Sequence, residues 1–300
     1  MTSRRALTVS AMVIWAAVAV TAAPRALSHR HSPTISSRMD FPAETCADLH
    51  IRFDRRDTVL QSEDRTITKA EAPTLRVHAE SNGGVYVVGG DKDAYAVTLC
   101  KAAEAGSDAS SLLSQIHLSF QNGDLRISAP NSNDRWAAHL LIHTPKSSAL
   151  DVQVNNGPVI LYHVDGNLRV RAENGPVTVT GCTGELDLAS ENGPLTLEEN
   201  SGKQTVRSEN GPLTLALSGS SWEGSGLDAH STNGPVTLKV PSGYTSGVVL
   251  ESEGYGPFQC NANVCSEGRK TWDDDHKRVE FGSGPTIVRL STVNGPVSVH

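Results

Sequence analysis

LRVRAENGPVTVTGCTGE, residues 168–185, is followed by LDLASENGPLTLEENSGK, residues 186–203, and the two stretches align without a gap. In each, apolar and polar residues alternate, Asn-Gly-Pro interrupts, and the alternation resumes. The same triplet stands at Asn156, Asn174, Asn192, Asn210, Asn233 and Asn294, and its first four copies are spaced by eighteen residues. A fixed short period marks a stack in which each repeat is one rung. Alternation at period two means half-buried strands, two to a rung. The predicted fold class is therefore all-β: a parallel β-solenoid with rungs of about 18 residues, two strands each, and Asn-Gly-Pro corners.

The corner chemistry fits that reading. Gly accepts positive φ at no steric cost and Asn tolerates it better than most residues. Pro fixes its own φ and pushes the preceding Gly toward an extended form. In a parallel stack the six Asn side chains repeat about every 4.8 Å and can hydrogen-bond as a structural turn ladder. Apolar positions such as Leu150 and Val152, Leu168 and Val170, Val177 and Val179 recur rung by rung. Each rung buries about four Val or Leu side chains, worth roughly 1.5–3 kcal/mol apiece before chain entropy is counted. One rung cannot stand alone, so stability rests on neighbours. Asp151, Arg169 and Asp187 share one outward slot and alternate in sign.

Outside the rungs the pattern loosens. Residues 46–149 read as a strand-rich N-terminal part, with a short helix or excursion over 107–115. Residues 150–300 read as the regular repeats, interrupted by a loop insertion at about 258–277. Open stack ends expose strand edges, so caps or self-association are expected, with the N-terminal segment and residues 297–300 as end pieces. Arg4 and Arg5 precede the apolar run Ala6–Val20, and Ala22 and Ala23 follow it. Residues 1–23 thus read as a signal peptide, and 24–45 as a flexible leader. Loss of Arg4 and Arg5 takes the net charge from −7 to −9, which argues against nucleic acid as a partner. No second apolar stretch approaches the roughly 20 residues that span a bilayer. The expected place is the periplasm or the cell surface.

Five cysteines lie beyond the signal segment: Cys46, Cys100, Cys182, Cys260 and Cys265. Cys260 and Cys265 flank four residues and are candidates for a disulfide, and Cys46 with Cys100 would tie the N-terminal segment to the body. Cys182 is then the odd one. Zinc-ligand spacing is missing, and so are the signatures of serine hydrolases, HExxH metalloproteases and P-loop enzymes. His139 and His143 share a strand face but sit about 13 Å apart, too far for one metal.

The opening LRVHAESNGGVYVVGG, the strand run WAAHLLIHTPKSSALDVQV, the strand–NG–strand rungs and the closing IVRLSTVNGPVSV together resemble the putative adhesin family of bacterial β-strand-repeat proteins. The resemblance spans about residues 70–300. It implies a cell-surface or envelope location and supplies no catalytic residues.

Three surface features remain. Glu173, Glu191 and Glu209 stack beside the Asn file, as a screened acidic surface or as a calcium site; no other cofactor or metal is expected. Thr178, Thr196, Thr214 and Thr237 form an outward file, which strand propensity alone explains. Asp273, Asp274 and Asp275 follow Trp272 in the insertion, as a solvated loop or as a site for a cation or a basic partner. The expected function is a non-enzymatic, adhesin-like surface or envelope interaction module whose partner is an envelope protein, a surface protein or a glycan. Alternatives are a periplasmic envelope scaffold or stress-related component, and a polysaccharide-active solenoid enzyme.

Overall fold

Side chains that alternate along the sequence alternate across the backbone, and the apolar half meets in one continuous core. Leu150, Val152 and Val154, then Leu168 and Val170, then Leu186 and Leu188 are buried from one side. Val159 and Leu161, Val177 and Val179, Leu195 and Leu197, Leu213 and Leu215 are buried from the other. The computed structural model describes residues 35–39, 43–53, 57–79, 82–131, 135–145, 147–254, 256–273 and 276–300, which fall in the unit spanning 33–300. Residues 1–23, expected as a signal peptide, and most of 24–45, expected as a leader, lie outside the described residues.

Among the described residues the fold is all-β: a 12-stranded front sheet and an 11-stranded back sheet enclose this core, with two short α-helices. The front strands Ser148–Asn156, Asp165–Asn174, Thr183–Asn192, Lys203–Asn210 and Gly226–Asn233 pair in parallel, like residue on like. The back strands Val159–Tyr162, Val177–Thr180, Leu195–Glu198, Leu213–Ala216 and Val236–Lys239 do the same. At the corner, the Gly175 N–H donates to the Asn192 carbonyl and the Val177 N–H to the Pro194 carbonyl, both at 2.9 Å. Gly175 has φ +135°, and a Cβ there would lie 2.3 Å from the Gly157 carbonyl oxygen. Only glycine lets the stacked corners approach so closely.

Both sheets are mixed rather than parallel throughout, because the chain doubles back at each end. Thr58–Thr68 pairs antiparallel with Ala94–Glu104, which pairs antiparallel with Trp136–Pro145. The hairpin His117–Gln121 and Asp124–Ser128 closes the front sheet at that end, after the helix Ala109–Ser114. At the other end Gly247–Ser252, Lys277–Phe281 and Arg269–Trp272 form an antiparallel trio. The expected end piece Val297–Val299 lies instead between Val236–Lys239 and Phe258–Cys260. Its rung carries Asn294, which joins Asn233 on the ladder, so the last stretch of chain inserts into the stack while residues 247–281 form its end. Ile35–Met39, expected as part of a flexible leader, is a strand paired antiparallel with Leu49–Phe53.

Leu49, Ile51 and Phe53 cover the outer face of the back sheet over Tyr86, Val88, Ala102 and Leu141, forming a second, smaller core. A Cys46–Cys100 disulfide fastens this cover. A second disulfide joins Cys260 and Cys265. Cys182 is free and buried, and desolvation pushes its thiol up to about 12, which leaves it inert as a nucleophile.

Candidate functional site: the charged face of the front sheet

On a strand, every second side chain faces outward, so parallel registration converts one outward residue per strand into a file across the sheet. The register draws one such file across eleven front strands. In spatial order it reads Asp124, Arg76, Asp151, Arg169, Asp187, Thr205, Asp228, Arg289, Val249, Glu280 and Arg269. Charge alternates along it except at Thr205 and at Val249, which is buried. Opposite charges placed directly across neighbouring strands stabilise by about 0.2–1 kcal/mol a pair, so the alternation serves the stack as well as the surface.

The alternation becomes contact at several steps. Arg76 Nε donates to Asp124 Oδ1 at 2.9 Å, and His78 lies 3.4 Å from the same oxygen. The Arg76 hydrogen bond holds the Asp124 carboxyl below the usual carboxylate range. Arg171 Nη2 donates to Asp187 Oδ2 at 2.7 Å, and Arg169 approaches that oxygen at 3.5 Å. Partial burial pushes the Asp187 carboxyl up, but the Arg171 hydrogen bond and the charges of Arg171, Arg169 and Arg207 outweigh it and hold it low. Lys203 Nζ meets Glu185 at 2.7 Å one file over. A shallow groove of about 610 Å³ runs across this ground, lined among others by Asp151, Asn167, Arg169, Asp187, Thr205 and Arg207.

The file nearer the corners carries two guanidinium groups and no carboxylate: His78, Gln153, Arg171, Ala189, Arg207 and His230 follow one another. Glu173, Glu191 and Glu209 lie exposed on the corner side of it. Arg171 and Arg207 stand two residues before Glu173 and Glu209 on the same strand faces, roughly 7 Å along the chain. The glutamates thus border on positive charge rather than only on one another.

Beside them the six asparagines make a continuous ladder. Each after Asn156 donates its Nδ2 to the Oδ1 of the Asn before it: Asn174 to Asn156, Asn192 to Asn174 and Asn210 to Asn192 at 3.2 Å, Asn233 to Asn210 and Asn294 to Asn233 at 3.1 Å. The ladder uses the amides on one another and leaves the corner a rigid rim. Asp273 is exposed beyond the end of strand Arg269–Trp272, whereas Asp274 and Asp275 lie outside the described residues. The structure therefore does not bring Asp273 together with the glutamates: they occupy different strands of the front sheet and its far end. Among the described residues no three His, Cys, Asp or Glu side chains converge as a metal site, and no helix is long and apolar enough to cross a membrane. His139 is buried and accepts the Gly84 N–H on Nδ1 at 2.9 Å.

Of the charged members of the file, only Asp151, Arg169 and Asp187 lie on the eighteen-residue period, which Thr205 continues without a charge. Asp124, Arg76, Asp228, Arg289, Glu280 and Arg269 fall off that period, and only strand register aligns them.

No protein-family model matches the chain, and no curated protein matches it significantly. Among solved structures the chain is similar to a putative cell adhesion protein from Clostridium sporogenes ATCC 15579, at 12% identity and a TM-score of 0.36, covering 80% of this chain and 99% of that one. It is similar to a putative adhesin from Bacteroides fragilis NCTC 9343, at 15% identity and a TM-score of 0.35, covering 81% and 97%. A putative lipid binding protein from Parabacteroides distasonis ATCC 8503 shares 9% identity at a TM-score of 0.34, covering 80% and 96%.

Proposed function

We propose that the chain is an exported β-solenoid without enzymatic activity, and that its front sheet is an interaction face for an envelope or surface partner. The observation that carries this reading is the charge file across eleven front strands. In this reading residues 1–23 direct export, residues 46–149 begin the stack, and 150–300 continue it. The paired strands of the front sheet hold the file in register. Such a face selects a partner by complementary charge and speeds encounter more than it adds affinity. The Asn ladder and the glutamates form its rim.

Two experiments test the reading. Protease digestion of intact producing cells should cleave the chain from outside; protection until the outer envelope is opened would exclude adhesion and leave a periplasmic scaffold. Purified chain should bind isolated envelopes in a salt-sensitive manner, and the double variant Arg169→Glu, Arg289→Glu, within the charge file, should lose at least about tenfold in affinity, as the loss of two complementary contacts implies. Unchanged binding by that variant would remove the front sheet from the function.

A further inference from the structure

A file of alternating charge has a property that a file of one sign lacks: reversed end for end, it can meet itself. Consider two front sheets face to face, related by a two-fold axis that runs along the strand direction. Each outward file then lies opposite its own copy with the strand order reversed, and every contact occurs twice. An axis over one strand sets a charge against itself, so unlike charges meet only if the axis falls between two neighbouring strands. The interruptions at Thr205 and Val249 decide which two.

With the axis between Asp165–Asn174 and Thr183–Asn192, Arg169 of each copy faces Asp187 of the other, Arg76 faces Asp228 and Asp124 faces Arg289. Asp151 faces Thr205, and Gln121 faces the buried Val249, so the file sets no like charges together. Moved one strand toward Glu280, the axis sets Asp124 against Glu280. Moved two, it sets Asp151 against Glu280 and Arg76 against Arg269. Moved one strand the other way, it keeps two of the three unlike pairs.

Three further observations agree with this axis. The groove of about 610 Å³ is lined mainly from the two strands on either side of it, which leaves room for the long Arg169 side chain of the other copy. In the file nearer the corners, Arg126, Arg171 and Arg207 face Ser291, Ala189 and Gln153, so no two guanidinium groups meet. Ten of the twelve front strands overlap; at about 4.8 Å a strand and about 17 Å of strand length they cover roughly 800 Å² per copy, the size of a standard stable interface. Face-to-face sheets keep their strands within about 30° of each other, so twist leaves the copies in contact. The cost falls at the rim, where the exposed Glu173 meets Glu191 of the other copy.

We propose that the front sheet docks on the front sheet of a second copy of this chain about this axis. The inference rests on the front-sheet reading above and names its partner. It differs from pairing of the open strand edges, which uses none of these charged pairs.

The test is equilibrium sedimentation of the purified, oxidised chain. In low salt the chain should dimerise with a Kd of about 10 µM or tighter, and added salt should weaken the dimer. Arg76→Glu alone and Asp228→Lys alone should each weaken it at least about a hundredfold, because symmetry makes each change felt twice. An equimolar mixture of the two variants should form a heterodimer, since the two new charges then face each other and the parent Arg76–Asp228 pair forms once. Mixing repairs a broken contact between copies but not a folding defect. Thr205→Lys, opposite Asp151, should tighten the dimer at least about threefold. A chain that stays monomeric overturns the proposal; if it still binds isolated envelopes, the front-sheet reading stands without it, and if it does not, both fall. A dimer that survives both single changes overturns docking about this axis, as does a mixture that stays monomeric while each variant keeps the parent urea midpoint. Should either variant unfold, Thr205→Lys decides: a dimer no tighter than the parent overturns the proposal.

Discussion

Between Ser148 and Lys239 each strand pairs in parallel with its counterpart on the next rung, whereas both ends are built from antiparallel pairs and from segments far apart in sequence. The middle is a series of equal neighbours held by repetition. The ends are irregular and are held by disulfides, a covering segment and inserted strands. Repetition leaves no slack at a corner, because each corner is packed by the one before it. Irregular ends carry the features that differ from place to place: a buried histidine and two covalent clips.

The largest effect should come from the stacked corner. A Cβ on Gly193, at φ +139°, would lie 2.3 Å from the Gly175 carbonyl oxygen, while Gly243, at φ +77°, has nothing within 4 Å of where its Cβ would sit. Gly193→Ala should therefore cost more than about 4 kcal/mol in urea unfolding, and Gly243→Ala about 1–2 kcal/mol, the cost of left-handed backbone alone. Equal losses would show that the middle can adjust as freely as the ends.

Next come the clips at the two ends. Cys46–Cys100 spans 54 residues and Cys260–Cys265 spans 5. Loop-closure entropy predicts losses of about 4 and about 2 kcal/mol on replacing each pair by serine. A larger loss at Cys260–Cys265 would mean that its clip holds native packing rather than restraining the unfolded chain.

His139 comes third. Burial lowers its pKa from 6.5 to about 4. The unfolded chain takes up this proton first as pH falls, so the stability tied to the neutral ring is complete above about pH 6.5. It is lost progressively between about 6.5 and 4, up to about 3 kcal/mol. His139→Gln keeps an acceptor for the Gly84 N–H and should flatten this slope in urea midpoints measured from pH 7 to 4. A slope that survives the substitution would assign the acid sensitivity elsewhere.

The smallest effect sharpens the comparison from within the repeats. Thr205 stands between Asp187 and Asp228 where the charge file would take a cation. Thr205→Lys should raise stability by about 0.2–1 kcal/mol in low salt, and the gain should fade as salt is added. A loss would show that Arg207, on the same strand, already balances both acids.

How much of this the sequence carries follows from period. Leu168, Val170, Val177 and Val179 announce their strands because inward positions repeat every two residues, and the rung announces itself because Asn-Gly-Pro repeats every eighteen. The same repetition announces the six asparagines that bond to one another, since identical residues on identical rungs must stack. Asp124 and Arg76, Asp228 and Arg289, Glu280 and Arg269 carry no such signal. Their alignment depends on where strands from irregular segments dock.

The chain alone thus determined what one rung is and how it meets its copies, because side-chain alternation and corner sterics act over a few residues and repeat. Only the tertiary structure decided which strands close the stack, where the stretch from Thr286 to Val299 inserts, and which charges share a file. Those depend on pairings between distant segments, where edge hydrogen bonding and burial choose among partners that local sequence leaves equivalent.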